Sequence, residues 1–149
     1  MLNIDIREIN DNELKGLLDL YTNLHKNKMP VIGRDIEQLW QKIIGDENHH
    51  IIVAEYEGKL ISSCVIVIVP NLTQSQRPYA FIENVITHPD YRNNGFALQI
   101  LSYARDIAKE NNCYKIMLMT GSKEESTIHF YEQAGYNRED KTAFIQWLE

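Results

Sequence analysis

The sequence predicts an α/β domain, a mixed α+β sheet with helices on its faces, and three observations carry that prediction. Short β-branched stretches recur along the chain, apolar residues at helical spacing fill the segments between them, and the two kinds of segment interleave. The expected order is β-α-α-β-β-β-α-β-α-β, a central twisted sheet flanked by helices.

Each element follows from local pattern. Isoleucines alternate with polar residues in "NIDIRE", as in a half-buried strand, and Leu14, Leu17, Leu18, Tyr21 and Leu24 then recur at helical spacing with Asp11 or Asn12 as the cap. The loop "KMPVIG" leads to "RDIEQLWQKIIG", where Ile36, Leu39, Trp40 and Ile43 share a face and Gly45 ends the helix. The strand-like runs "HHIIVAEY" and "KLISSCVIVIV" are joined by Glu57-Gly58, a hairpin signal. After the loop "PNLTQSQRP" comes a third such run, "YAFIENVIT". In "FALQILSYARDIAKEN", Ala97, Ile100, Leu101, Ala104, Ile107 and Ala108 form one stripe, which predicts a helix packed on the sheet. The strand-like "CYKIMLM" follows. Next is the helix-like "KEESTIHFYEQA", with capping-box spacing Ser122-x-x-Glu125 and Gly135 after it, and then the strand-like "TAFIQWL". No repeat, low-complexity tract or flexible linker divides residues 1–149, which therefore read as a single domain.

Composition narrows the function. A chain of 149 residues, 44% hydrophobic, suits one core, and 15 Lys plus Arg against 21 Asp plus Glu give a formal charge of -6 that disfavours nucleic acid or an anionic membrane as partner. The amino terminus carries Asp5, Arg7 and Glu8 where a secretory signal would be apolar, and "LISSCVIVIV" is too short to span a bilayer. A soluble, cytoplasmic protein is expected. Cys64 and Cys113 lack zinc spacing and read as buried free thiols. The histidines form no spaced ligand set, so no metal is expected: His49 and His50 open a strand, His25 and His129 fall at helix-surface positions, and His88 precedes a proline.

Chemistry concentrates at "HPDYRNNGFALQIL", a tight junction between a strand and a helix. A helix start leaves backbone N–H groups without partners and carries partial positive charge, so it attracts phosphate. Gly95 removes the Cβ that would block close approach, Ala97 keeps the first turn thin, and Arg92 adds charged donors; an anion would then touch amides from Asn93 through Phe96 to Ala97. A plain strand-turn-helix connection whose glycine relieves backbone strain accounts for the same residues. Tyr131, in "HFYEQAGY", is open in the same way: its phenol stays protonated near neutral pH, with a reference pKa of ~10, yet Ile128 and Ala134 lie one turn either side, as for a core aromatic. Glu83 interrupts the apolar "YAFIENV", either as a general base acting through water or as half of a salt bridge on a sheet edge.

Arg-x-x-Gly-x-Ala, preceded by "ENVITHPDY" and followed by "FYEQAGY", closely resembles the GNAT superfamily of N-acetyltransferases over nearly the whole chain. The resemblance implies that the turn at Arg92, Gly95 and Ala97 cradles the pyrophosphate of acetyl-CoA. It also implies that the main chain of Val85, Ile86 and Thr87 pairs with the pantetheine arm, and that Asn84 marks a strand bulge. Asn93 and Asn94 stand where many members have Gly and Lys, which keeps the amide cradle but removes a charge. By the same resemblance Tyr131 protonates the departing CoA thiolate. Glu124 replaces an asparagine that contacts the cofactor in many relatives.

The implied function is acetyl-CoA-dependent transfer of an acetyl group to a primary amine by direct attack in a ternary complex, with Glu83 as candidate base and a backbone N–H of Val85 or Ile86 polarising the carbonyl. The alternative is a non-catalytic acyl-CoA sensor or partner-binding module, which would bind CoA without acceptor-dependent thiol release. Neither the P-loop nor the dinucleotide-binding string occurs. A small-molecule amine is the expected acceptor, chosen by the variable segments "LHKNKMPVIG" and "PNLTQSQRP". The segment "NCYKIMLM" ahead of "FYEQAGY" is similar to the glucosamine-phosphate N-acetyltransferase branch without selecting a sugar. Relatives often dimerise through their C-terminal strands, and "TAFIQWL" is apolar enough to serve a homodimer here.

Overall fold

A computed structural model describes residues 2–24 and 27–149. His25, expected on a helix surface, lies outside the described residues, as does Lys26 of the expected acceptor segment. The chain forms two compact units, Met1–Met117 and Leu118–Glu149.

Along the chain, β1 (Asp5–Glu8) is followed by a short 3-10 turn (Asp11–Glu13), α1 (Leu14–Tyr21), α2 (Arg34–Ile44), β2 (His49–Tyr56), β3 (Lys59–Val69), β4 (Tyr79–Thr87), α3 (Phe96–Glu110) and β5 (Ile116–Leu118). The five strands form one sheet in sequence order, β1-β2-β3-β4-β5. The first three pairings are antiparallel. The fourth runs parallel: Tyr114 N–H donates to Pro78 O at 3.0 Å and Ala80 N–H to Lys115 O at 3.0 Å, so residue numbers rise together. The mixed sheet with flanking helices agrees with the expected fold class.

Local physics explains most elements. β2, β3 and β4 coincide with the β-branched runs, and Glu57 (φ 48°) with Gly58 (φ 78°) makes the two-residue turn that the right-handed strand twist favours. Strand alternation splits the core into two layers. Ile51 and Val53 of β2, Val65 of β3 and Ile86 of β4 pack with Leu17 and Leu20 of α1 and Trp40 of α2. Alternate positions Ile52, Cys64, Ile66 and Ile82 are buried too, and α3 buries Ile100, Leu101, Ala104, Ile107 and Ala108, the stripe read from the sequence. Each fully buried isoleucine contributes about 2 kcal/mol of transfer free energy.

Several expectations shift. The cap at the first helical segment is Asn10, whose N–H donates to Glu13 Oε1 at 2.8 Å, one residue before Asp11 and two before Asn12. Cys64 is buried as expected, whereas Cys113 is half-buried; both are free.

The second unit carries α4 (Glu125–Gln133), ended by Gly135 at φ 101°. Its cap is Glu124 rather than Ser122, because the Ser122 hydroxyl accepts from Glu124 N–H at 3.3 Å and lies 3.1 Å from Thr127 Oγ1, outside the helix start. His129 is exposed. The strand expected over "TAFIQWL" does not form: residues 139–149 have no regular structure, and Phe144, Ile145, Trp147 and Leu148 are 90%, 62%, 77% and 92% exposed. β-branched and aromatic content favours an extended backbone but supplies no ladder, and this segment has no partner strand among the described residues. Among the described residues no helix is long and apolar enough to cross a membrane.

Candidate functional site

β4 carries the centre of the site. Its register against β3 slips between Ser63 and Val65: Ser63 faces Ile86 and Val65 faces Glu83, so Cys64 alone opposes Asn84 and Val85. That is a β-bulge, and Asn84 enters it at φ 54°, a left-handed conformation that asparagine tolerates better than most residues. The bulge expected at Asn84 is therefore present.

Beyond the bulge, β4 turns its backbone outward at alternate residues. His88 N–H donates to Ile61 O at 2.8 Å and Ile86 pairs with Ser63, so the peptide groups of Val85 and Thr87 point away from β3. β5 enters beside Ala80 and is only three residues long. Continued residue for residue, that register ends near Glu83, short of Val85 and Thr87. The exposed main-chain stretch offers an extended ligand the ladder that a neighbouring strand would otherwise supply.

Two buried hydroxyls brace this segment. Ser62 Oγ donates to Ile86 O at 3.0 Å and lies 2.9 Å from Thr87 Oγ1, while Ser63 Oγ donates to Ile52 O at 2.7 Å. Neither serine was singled out from the sequence, although "SS" inside the apolar "LISSCVIV" interrupts its strand much as Glu83 interrupts the next one.

The chain then passes through a 3-10 turn (Pro89–Tyr91), where His88 Nδ1 accepts from Asp90 N–H at 3.1 Å, and enters α3 through Gly95. Gly95 sits at φ 79° and Asn93 at φ 63°. Among the described residues, the N–H groups of Asn93, Asn94, Gly95, Phe96 and Ala97 donate to no protein acceptor, whereas Gln99 N–H already bonds Gly95 O at 3.2 Å. An added Cβ on Gly95 would meet nothing within 4 Å, so the space above the turn is open. Free amides at the start of a 15-residue helix are chemically able to accept an anion. The neighbouring side chains are more committed than the sequence indicated. Arg92 Nε donates to Thr87 O at 3.3 Å, and Asn94 Nδ2 donates to Tyr91 O and Arg92 O, both at 3.0 Å. Asn94 thus shapes the turn with its side chain, and the two terminal nitrogens of Arg92 donate to no acceptor among the described residues.

Glu83 does not sit on a sheet edge, because β4 lies between β3 and β5. It is exposed, forms no ion pair among the described residues, and shares a side of the sheet with its cross-strand partner Val65, the side packed by α1. Within the first unit the structure therefore brings Glu83, the bulge, Val85, Ile86, Thr87 and the cradle into one continuous stretch. Burial pushes the Cys64 thiol up to about 12, so it stays a protonated, inert thiol facing the bulge.

In the second unit, Tyr131 is half-buried on α4, its ring edge-on to Phe130 (5.0 Å) and Tyr136 (6.4 Å). Tyr136 N–H closes the helix end on Tyr131 O at 3.1 Å. α4 buries no residue, so Tyr131 is not a fully buried core aromatic. Glu124 is exposed at the helix cap.

Known proteins share this architecture. A solved structure from Agrobacterium tumefaciens str. C58, described only as an acetyltransferase, is 34% identical, covers 96% of this chain and 99% of its own, and superposes with a TM-score of 0.89. Glucosamine-6-phosphate N-acetyltransferase from Arabidopsis thaliana has the same fold at 21% identity, with 99% of each chain covered and a TM-score of 0.82. Glucosamine 6-phosphate N-acetyltransferase of Trypanosoma brucei brucei is 27% identical over 84 residues, 56% of this chain; the match spans only about half of that relative, 55% of its length. The profile of the Acetyltransferase (GNAT) family matches residues 15–136. With the bulged strand leading into an unpaired amide cradle, and with a match across most of its length, the chain belongs to the GNAT acetyltransferase family.

Proposed function

We propose that this protein transfers the acetyl group of acetyl-CoA directly to a primary amine of a small molecule, within a ternary complex. GNAT acetyltransferases use acetyl-CoA, and the observation that carries the reading for this chain is the row of free N–H groups from Asn93 to Ala97. In the proposed complex these amides and the terminal nitrogens of Arg92 hold the pyrophosphate. The outward peptide groups of Val85 and Thr87 pair with the pantetheine amides, while Ile86, paired to β3, keeps that stretch in place.

Direct attack divides the work among few groups. The amine must lose a proton, which Glu83 accepts directly or through one water; the thioester carbonyl gains negative charge, which the Val85 N–H stabilises; the departing thiolate takes a proton from the Tyr131 phenol. A covalent acetyl-cysteine route has no support, because the Cys64 thiol is buried and held protonated. Glucosamine 6-phosphate is the first acceptor to test, since the named curated relative acts on it.

The decisive measurement is thiol release from acetyl-CoA against a panel of amino-sugar phosphates, aminoglycosides, polyamines and amino acids. Acceptor-dependent release is the expected result. Saturable CoA binding with no release for any amine would replace the enzyme by a sensor. We also propose a homodimer in which Phe144, Ile145, Trp147 and Leu148, exposed in the single chain, become covered. Sedimentation should then give twice the chain mass, and Phe144→Ser with Trp147→Ser should halve it.

A further inference from the structure

The free amides lie in a turn that no backbone ladder holds. The ladder of β4 on β3 ends with His88 N–H on Ile61 O at 2.8 Å, and that of α3 begins with Gln99 N–H on Gly95 O at 3.2 Å. Between them, among the described residues, one backbone bond remains, Tyr91 N–H to His88 O at 2.9 Å. Side chains of the turn supply the rest: His88 Nδ1 accepts from Asp90 N–H at 3.1 Å, and Asn94 Nδ2 donates to Tyr91 O and Arg92 O, both at 3.0 Å. A turn bonded mainly to itself moves as a unit unless a neighbouring element grips it.

That grip falls on Tyr91. Its ring stands edge-on to Tyr56, with centroids 5.9 Å apart at 64°, and edge-on to His88, 5.7 Å apart at 69°. Lys59 Nζ lies 5.9 Å from the same ring centroid and 3.4 Å from His88 Nε2. Tyr56 and Lys59 face each other across the Glu57-Gly58 turn, so the tip of the β2–β3 hairpin closes on the ring. Edge-to-face rings and a cation near a ring face both attract, and both fix orientation.

We propose that Tyr91 is a positioning residue for the cofactor: the hairpin tip holds its ring, and its carbonyl, bonded to Asn94, carries that constraint to the amides of Asn93 through Ala97. The inference rests on the acetyl-CoA reading for its effect on affinity, though not for its effect on the free turn. Amides already aimed need no ordering when the ligand arrives, so the constraint raises affinity without any contact between Tyr91 and the ligand. Sequence reading quoted Tyr91 within the junction and gave it no role. Its partners Tyr56 and Lys59 lie 35 and 32 positions earlier.

Calorimetry with acetyl-CoA and relaxation of the free protein test this together. Tyr91→Leu should raise the Kd about tenfold, whereas Tyr91→Phe, which keeps the ring, should bind within about twofold of wild type. At saturating acetyl-CoA, with the best amine of the acceptor panel, kcat of Tyr91→Leu should stay within about twofold, since Tyr91 touches no reacting group. Unaltered affinity in Tyr91→Leu would overturn the proposal. Should that chain fail to fold, Tyr56→Leu removes a ring partner from outside the turn and should raise the Kd about threefold. Lys59→Met should also cost about threefold, and nothing further when added to Tyr91→Leu. An equal loss in both backgrounds, growing at low salt, would put Lys59 on the phosphates themselves and defeat the grip. In the free protein, backbone order parameters at residues 92–95 should fall from about 0.85 to below about 0.6 in Tyr91→Leu, with residues 100–108 of α3 unchanged. Equal order in variant and wild type would refute the constraint whatever the coenzyme does. A wild-type protein without affinity for CoA would defeat the acetyl-CoA reading, while the relaxation result would still decide whether the hairpin tip holds the turn.

Discussion

Ser62 Oγ donates to the carbonyl oxygen of Ile86 at 3.0 Å, with Thr87 Oγ1 2.9 Å away. Because the Ser62 proton is committed to Ile86, the Thr87 hydroxyl must be the donor of the second bond. A buried hydroxyl on β3 thus ties down the stretch of β4 whose outer edge is free. Ser62→Ala should cost about 1–3 kcal/mol, since it removes the buried hydroxyl that both Ile86 O and the Thr87 hydroxyl engage. Urea unfolding checks the stability, and calorimetry with acetyl-CoA should register weaker binding. A variant equal to wild type in both would remove the bracing role.

Gly95→Ala separates strain from ligand clash. At φ 79° an alanine costs about 1–2 kcal/mol, and no protein atom lies within 4 Å of the added methyl. The melting temperature should fall by about 3–6 °C. The methyl would project over the amide cradle, so the Kd for acetyl-CoA should rise by roughly tenfold or more, beyond what the small stability loss explains. Retained affinity would move the pyrophosphate elsewhere.

The two proposed proton-transfer groups should give separable kinetics. Glu83→Gln should lower kcat by about 10²-fold or more with acetyl-CoA binding unchanged, because the base acts on the amine alone. Tyr131→Phe should also lower turnover more than it weakens acetyl-CoA binding, and its loss should shrink with thioesters whose thiol has a lower pKa and needs less proton assistance. Leaving-group insensitivity in that variant would withdraw the general-acid role.

Acid stability should depend on one ion pair. Arg7 Nη1 and Nη2 bond Glu13 Oε1 and Oε2 at 2.7 and 3.0 Å. The Arg7 bonds hold the Glu13 carboxyl below its ordinary 4.5, burial opposes them, and the Asn10 N–H adds to the lowering. Since the folded value lies below the unfolded one, the pair stabilises the protein fully above about pH 4.5 and loses that contribution as pH falls through the folded value. Glu13→Gln should therefore destabilise by about 2 kcal/mol near pH 7 and flatten the acid side of the stability curve. A curve parallel to wild type between pH 3 and 6 would show that other carboxylates control it.

Local elements were legible because their causes are local. Glu57-Gly58 encodes its turn through two positive φ angles, and the stripe from Ile100 to Ala108 encodes a helix that must bury one side. The free amides were legible as well, since any helix start leaves its first N–H groups without intrahelical partners. Ser62 and Ser63 were not, because their partners Ile86 and Ile52 lie 24 and 11 residues away on neighbouring strands. Glu83 could be read as polar in an apolar strand, but only the strand order showed that the strand is interior.

By itself the sequence determined the type and extent of most strands and helices, the open turn at Gly95 and the net negative charge, all consequences of neighbouring residues and composition. Tertiary structure decided the rest. Whether "TAFIQWL" becomes a strand depends on an available partner ladder, and the left-handed backbone of Asn84 depends on the register slip of β4 against β3. Hydrogen bonds and packing between distant segments exist only after the chain has closed, and they set the direction of the groups that the proposed chemistry requires.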